Sequence, residues 1–221
     1  MCGRFALALL ADEVARQFQA APVNDLPDLP DYNICPTTQV LTVTAAGGDR
    51  QLRPMRWGFV PHWYKTATDG PLLINARAET IASKPAFGQA ARQRRCIVPA
   101  SGFYEWQKDA EGTRLPWYVH RSDRMPMAMA AIWQDWGPEG ARQSTCAIVT
   151  TQANAGLAHI HHRMPVILEP ADWPLWLGEA GHGAARLMRP AGAGVVHCHR
   201  VGRAVNSNRA SGPDLTQPIE D

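Results

Sequence analysis

The sequence predicts a single α+β domain built on a mixed, mainly antiparallel sheet, curved or barrel-like and flanked by short helices. Strand-like runs outnumber helical ones along the 221 residues. They are scattered without the regular strand–helix alternation that marks a parallel doubly wound sheet. Nothing repeats and no linker divides the chain, whose length suits one domain.

Taken in order, residues 11–20 read as a short amphipathic helix, with Asp12 as N-cap and Val14 and Phe18 four apart on one face. Residues 22–30 form a loop rich in proline and aspartate, and Pro36 keeps Tyr32–Cys35 extended. Residues 39–45 and 50–60 alternate as two strands around the turn signal Gly47-Gly48-Asp49. An exposed loop over 62–71 carries Trp63, Tyr64 and Lys65 before a short strand over 72–78 interrupted by Asn75 and Arg77. A helix is expected over 82–94 with Pro85 near its start. Strands follow over 96–100, 101–106 and 117–120, the last two joined by a polar hairpin loop over 108–114. Two more strands lie over 127–133 and 145–151, then a short helix over 153–160, a brief strand over 166–168 and a helix over 170–177. A strand over 195–201 precedes a polar coil tail over 206–221.

Composition bounds the chemistry. No apolar run approaches the ~18–20 residues of a membrane span. The apolar stretch 5–11 runs into Asp12-Glu13 without a small-residue cleavage site, so no signal peptide is expected. Cysteines 2, 35, 96, 146 and 198 are odd in number and widely spaced, without a CxxC pair. That excludes a disulfide framework and favours a reducing, cytoplasmic setting, with 35, 96 and 146 as small core residues. Net charge is only +2, yet the bases are 19 Arg against 3 Lys. Arginine's planar fork suits phosphate, although a G+C-rich genome inflates arginine equally.

Cys2 is the residue with distinctive chemistry. Removal of Met1 would expose an amine and a thiol on adjacent carbons. The amine can condense with an aldehyde to an imine, and the thiol can close a five-membered thiazolidine. Free groups of these types titrate at roughly 7.7–8.0 and ~8.5, so modest tuning makes either nucleophilic. An end residue of this kind is more commonly inert. Three other residues are candidates to serve it. Glu105 sits between Tyr104 and Trp106 in an apolar strand, where a carboxylate is either paired with arginine or desolvated toward acid–base use. His161, beside Arg163, is a catalytic or a structural imidazole. Asn75 in an apolar strand orients a substrate or braces a turn. His197 and His199 share one strand face, but no third ligand lies nearby in sequence, so no metal is expected.

Seven motifs run in order: Cys2-Gly3-Arg4-Phe5, Tyr32-Asn33-Ile34 with Pro36, Arg56-Trp57-Gly58 with Pro61, Asn75-Ala76-Arg77-Ala78-Glu79, Arg95-Cys96 through Pro99, Gly102-Phe103-Tyr104-Glu105-Trp106, and His161 with Arg163-Met164-Pro165. In these the chain resembles the SOS response-associated peptidase (SRAP) family, which includes abasic-site processing proteins. The match covers nearly the whole chain as one SRAP-like domain. Departures are Cys35, His162 and Gly202, at positions where that family commonly has alanine, aspartate and serine; His162 bears on the electrostatics around His161.

The resemblance implies a protein that crosslinks covalently to abasic sites in single-stranded DNA through a thiazolidine at Cys2, with no cofactor and no metal. By the family pattern Asn75 holds the sugar or the Cys2 amine, Glu105 shuttles protons, and His161 assists ring opening and reversal. Arg4, Arg77 and Arg163 lie beside these positions and are candidate phosphate clamps. Trp63, Tyr64 and Trp106 are candidates for base stacking or for ordinary packing. A monomer associated with the nucleoid is expected. Two other functions fit the same residues: an N-terminal-nucleophile hydrolase, peptidase or amidotransferase, of which self-removal of Met1 is a restricted form, and a non-catalytic single-strand-binding module.

Overall fold

The computed structural model describes residues 2–219; Met1, whose removal the chemistry above requires, and Glu220–Asp221 of the expected tail lie outside them. No helix among the described residues is long and apolar enough to cross a membrane.

The larger sheet is built on β4 (Gln39–Ala46), β5 (Asp49–Trp57), β7 (Arg95–Ala100), β10 (Met127–Trp136) and β11 (Gln143–Gln152). Their order is β11-β10-β7-β4-β5, and a parallel pairing of Thr145 with Arg56 and Cys146 with Trp57 joins β5 back to β11. The sheet therefore closes on itself, and residues on both of its faces, among them Val43, Leu52, Trp57, Ile97, Met129 and Ile148, are fully excluded from solvent. The expected hairpin is present: Ala46 faces Asp49 across Gly47 and Gly48, both at positive φ. Short strands extend this sheet. β2 (Ala20–Pro22) adds to β5, β6 (Asn75–Arg77) to β11, β12 (Arg163–Pro165) to β11, and β13 (Ile167–Leu168) to β10.

A second, five-stranded sheet has the order β14-β9-β8-β1-β3, from β1 (Phe5–Leu7), β3 (Asp31–Ile34), β8 (Gly102–Lys108), β9 (Arg114–Arg121) and β14 (Val196–Arg200). The N-terminal segment lies between two neighbours here. Phe5 pairs with Ile34 on one side and Phe103 on the other. The two sheets share one core: Phe5 meets Trp57 edge-on at 5.1 Å. Gly102 is required where β8 crosses β9, because a Cβ there would stand 2.5 Å from the Val119 carbonyl oxygen and from the Tyr118 ring.

The mixed, mainly antiparallel and curled architecture is the one expected, and several elements differ in detail. α1 (Ala11–Phe18) is capped at Leu10 rather than Asp12, its N–H donating 2.8 Å to the Glu13 carboxylate. In the 82–94 region only α2 (Gly88–Gln93) is regular, preceded by turns in which Ser83 and Lys84 donate to the Thr80 carbonyl. Pro85 lacks the N–H a continuous helix needs there. The helix expected over 153–160 does not form; residues 155–160 make successive turns. The last helix, α3 (Trp173–Leu177), is only five residues long. Phe5–Leu7 and Ala20–Pro22 are strands that short length concealed. The expected coil tail folds: Leu215 is buried with Tyr104, Tyr118, Val201 and Val205, and Val201 bridges to Pro218. Cys96 and Cys146 are core residues as read, but Cys35 is only half-buried, its Sγ 3.2 Å from the Asn33 carbonyl oxygen.

Candidate active site at the N-terminal cysteine

The pairing of β1 with β8 brings the start of the chain to Glu105. Tyr104 N–H donates to the Arg4 carbonyl at 2.9 Å, continuing the ladder toward Cys2. Cys2 has no exposed surface. Asn75 arrives from the other sheet, because β6 pairs in parallel with β11, Asn75 opposite Ile148. Its Nδ2 donates to the Cys2 carbonyl oxygen at 2.9 Å, and its buried Oδ1 has no hydrogen-bond partner among the described residues.

Glu105 is 5% exposed. Burial raises its pKa above the ordinary carboxylate value, and the Arg114 charge offsets this only in part. The Cys2 thiol is also pushed up, first by burial and then by the Glu105 charge. This thiol is therefore held protonated, the opposite of the low-pKa setting of a thiolate nucleophile.

His161 follows the turns at 155–160. Its Nδ1 lies 3.0 Å from the Arg163 backbone nitrogen and 3.3 Å from the Arg163 carbonyl oxygen, so both contacts of this ring nitrogen go to one residue. Burial lowers the His161 pKa below the ordinary histidine value; the hydrogen bond to the Arg163 backbone opposes this in part, and the charges of His162 and Arg163 add to the lowering. The two imidazoles stack at 4.4 Å, so the departure at position 162 does act on His161.

Glu105 and His161 line one cleft with Gly3, Arg4, Trp106, Lys108, Arg114 and Asn206. Cys2 directly precedes the cleft wall at Gly3. Arg4 is anchored: its Nη1 donates to Asn33 Oδ1 at 2.6 Å and to the Val205 carbonyl at 3.1 Å, and its guanidinium stands 5.9 Å from the Trp106 ring centroid. Trp106 is anchored too, its indole N–H donating 2.6 Å to Asn206 Oδ1. The cleft thus combines three cationic side chains, one aromatic wall, a desolvated carboxyl group and a neutral imidazole. Such a set can bind an anionic backbone and move protons at a carbonyl centre.

Cys2, Asn75, Glu105, His161, Arg4 and Trp106 come together as one constellation. Arg77 is exposed and does not line the cleft, although it shares a strand face with Asn75, two residues away. Trp63 is 49% exposed beside His62 and Tyr64, and it too lies outside the cleft. Arg163 departs furthest from its expected role. It is 8% exposed, paired through both nitrogens with Glu79 at 2.7 and 3.0 Å, and donates to the Thr150 carbonyl at 2.7 Å. Its fork is committed to the protein, so it braces β11 rather than presenting itself to a phosphate.

Lys108, Arg114 and Asn206 are cleft residues the sequence reading missed. Lys108 and Arg114 face each other as the last pair of the β8–β9 hairpin, and Trp106 shares their strand face. Counting by twos from Trp106 through the hairpin would have found both. Asn206 carried no such signal, because it belongs to the segment read as coil. The His197/His199 pair gains the third imidazole the sequence did not supply, His120 of β9.

Comparison with known proteins follows the same lines. Residues 1–208 match the model of a family described as SOS response associated peptidase (SRAP). The chain is 35% identical to the abasic site processing protein YoqW of Bacillus subtilis, over 98% of this chain and 99% of that one. It is 34% identical to the abasic site processing protein YedK of Escherichia coli, over 99% and 100%. Identity to the abasic site processing protein HMCES of Gallus gallus is 29%, over all of this chain and 78% of that one. A protein structure from Bacteroides thetaiotaomicron, 24% identical, has the same fold with a TM-score of 0.87 over 99% of this chain and 100% of that one.

Proposed function

The chain belongs to the SRAP family, and from that premise we propose that it processes abasic sites in single-stranded DNA by covalent capture at Cys2. The observation that carries this reading is the convergence of Asn75, Glu105 and His161, from three distant parts of the chain, around the N-terminal cysteine.

An abasic deoxyribose interconverts between a closed hemiacetal and an open aldehyde. His161, lining the cleft, is suited to give a proton to the ring oxygen as the aldehyde opens. Once Met1 is gone, the Cys2 amine adds to the aldehyde carbon. Loss of one water gives the imine. Glu105, whose carboxyl group burial holds above the ordinary carboxylate pKa, supplies the proton that lets hydroxide leave as water. The Cys2 sulfur then adds to the imine carbon and its proton passes to nitrogen, closing the thiazolidine. A protonated thiol suits this order, with the amine first and the sulfur second, and disfavours a thiolate hydrolase. Asn75 holds the Cys2 backbone throughout. Arg4, Lys108 and Arg114 meet the phosphates, and Trp106 offers a face to a base. In this reading the protein acts as a monomer at the nucleoid, and release of Met1 switches it on.

The test is a denaturing gel of the processed protein with single-stranded DNA carrying one abasic site. A covalent shift is expected, absent in Cys2→Ala and in a chain extended ahead of Cys2. A shift that persists in Cys2→Ala overturns the thiazolidine, and turnover of a peptide or glutamine would favour the hydrolase.

A further inference from the structure

We propose that His120, His197 and His199 form a Zn2+ site, separate from the cleft at Cys2, with three imidazole ligands and one open position. One ring nitrogen from each lies within 4.8 Å of the others. The sheet puts them together. His197 stands directly opposite His120 across the β14–β9 ladder, and His199 faces Tyr118, two residues along on the same face. Ring centroids are 5.4 Å apart for His120–His197 and 5.5 Å for His120–His199.

Two of the three rings are already set in the tautomer a metal needs. His120 Nδ1 is 2.7 Å from the Arg121 carbonyl oxygen, and His199 Nε2 is 2.9 Å from that of Thr216. Each ring donates its N–H there, which leaves His120 Nε2 and His199 Nδ1 unprotonated, each with a lone pair to offer a metal. Ligating histidines are typically fixed in this way, the second nitrogen held by a carbonyl. His120 is 4% exposed, and its Nε2 is buried without a hydrogen-bond partner among the described residues. A bare buried nitrogen is costly unless something coordinates it. His197 is exposed and can swing to close the set. Zn–N bonds of ~2.0–2.1 Å in a tetrahedron require the nitrogens roughly 3.3 Å apart, a movement of about a rotamer adjustment. Arg124 lines the same cavity, so its charge favours an anionic fourth ligand, hydroxide or a carboxylate.

This cavity shares no lining residue with the Cys2 cleft. Along the β8–β9 ladder, Gly102 faces His120 and Glu105 faces Trp117, a spacing of three residues or roughly 10 Å. A bound ion would clasp β9 to β14 and, through the Thr216 carbonyl, to the C-terminal segment. That segment also supplies Val205, Asn206, Ser207 and Ala210 as partners of Arg4, Trp106 and Asn33.

The full chain, stripped of metal, would be titrated with Zn2+ against a chromophoric chelator, and its Co2+ spectrum recorded. One ion per chain is expected, with a tetrahedral Co2+ spectrum lacking a thiolate charge-transfer band. The exposed-residue variant His197→Ala and the variant His120→Gln should each weaken binding by at least roughly 10–100-fold, the range for losing even an outer-shell partner. Cys2→Ala and Cys198→Ser should bind as wild type. Failure of the wild type to compete, unchanged affinity in His197→Ala, or loss of the ion in Cys2→Ala would each overturn the assignment.

Discussion

Replacing Arg163 with methionine separates two jobs for that residue, bracing the sheet and holding DNA. Methionine keeps most of the volume and removes the guanidinium. The Arg163–Glu79 pair is lost, but Glu79 is 44% exposed at its side chain, so this pair is worth only ~0.5–1 kcal/mol after solvent screening. The larger loss is the hydrogen bond from Nη2 to the Thr150 carbonyl at 2.7 Å, in a fully buried setting. A charged donor to a buried carbonyl contributes ~1.5–3 kcal/mol. Together the substitution should cost about 2–4 kcal/mol, or roughly 4–16 °C in Tm for a chain of this size. Glu79→Gln should cost only the smaller part. Thermal melts of both variants measure the folding side, and anisotropy with single-stranded DNA measures the binding side. An unchanged Tm in Arg163→Met together with a shallower salt dependence of DNA binding would refute the bracing role and restore the phosphate clamp.

Three further outcomes follow from the cleft. Because burial raises the Glu105 pKa in the folded state above its unfolded value, its charge opposes folding. Glu105→Gln should therefore stabilise the chain by an amount that is nil below the unfolded pKa of ~4.3 and full above the folded pKa, while crosslinking slows. Urea titrations at about pH 4 and about pH 8 check the sign, and a gain that shrinks as pH rises would contradict it. Asn75→Ala removes the donor to the Cys2 carbonyl and should slow single-turnover crosslinking about 5–30-fold, the equivalent of ~1–2 kcal/mol. Trp106→Ala should weaken binding of single-stranded DNA by ~1–3 kcal/mol, whereas Trp63→Ala, outside the cleft, should leave it within error; equal losses would extend the binding surface to the 62–71 loop.

Sequence alone determined the strand-rich α+β class and the hairpin at Gly47-Gly48, and its resemblance to a known family singled out Cys2, Asn75, Glu105 and His161, which the fold brings together. These are legible because turn chemistry, period-two alternation and ordered motifs are local properties of the chain. It did not determine that β5 returns to β11, since a parallel closure between residues 56 and 145 has no local signature. Nor did it determine what each arginine does. Arg4, Arg77 and Arg163 look alike beside their motifs, yet one is anchored in the cleft, one is exposed and one is neutralised by Glu79. A guanidinium's role depends on which carboxylate or carbonyl reaches it, and that is set by packing. The same reason explains Asn206 and His120. Each reaches its site from a strand or segment distant in sequence, the first because Leu215, Val201 and Val205 pull the tail against Tyr104, the second because β9 lies beside β14.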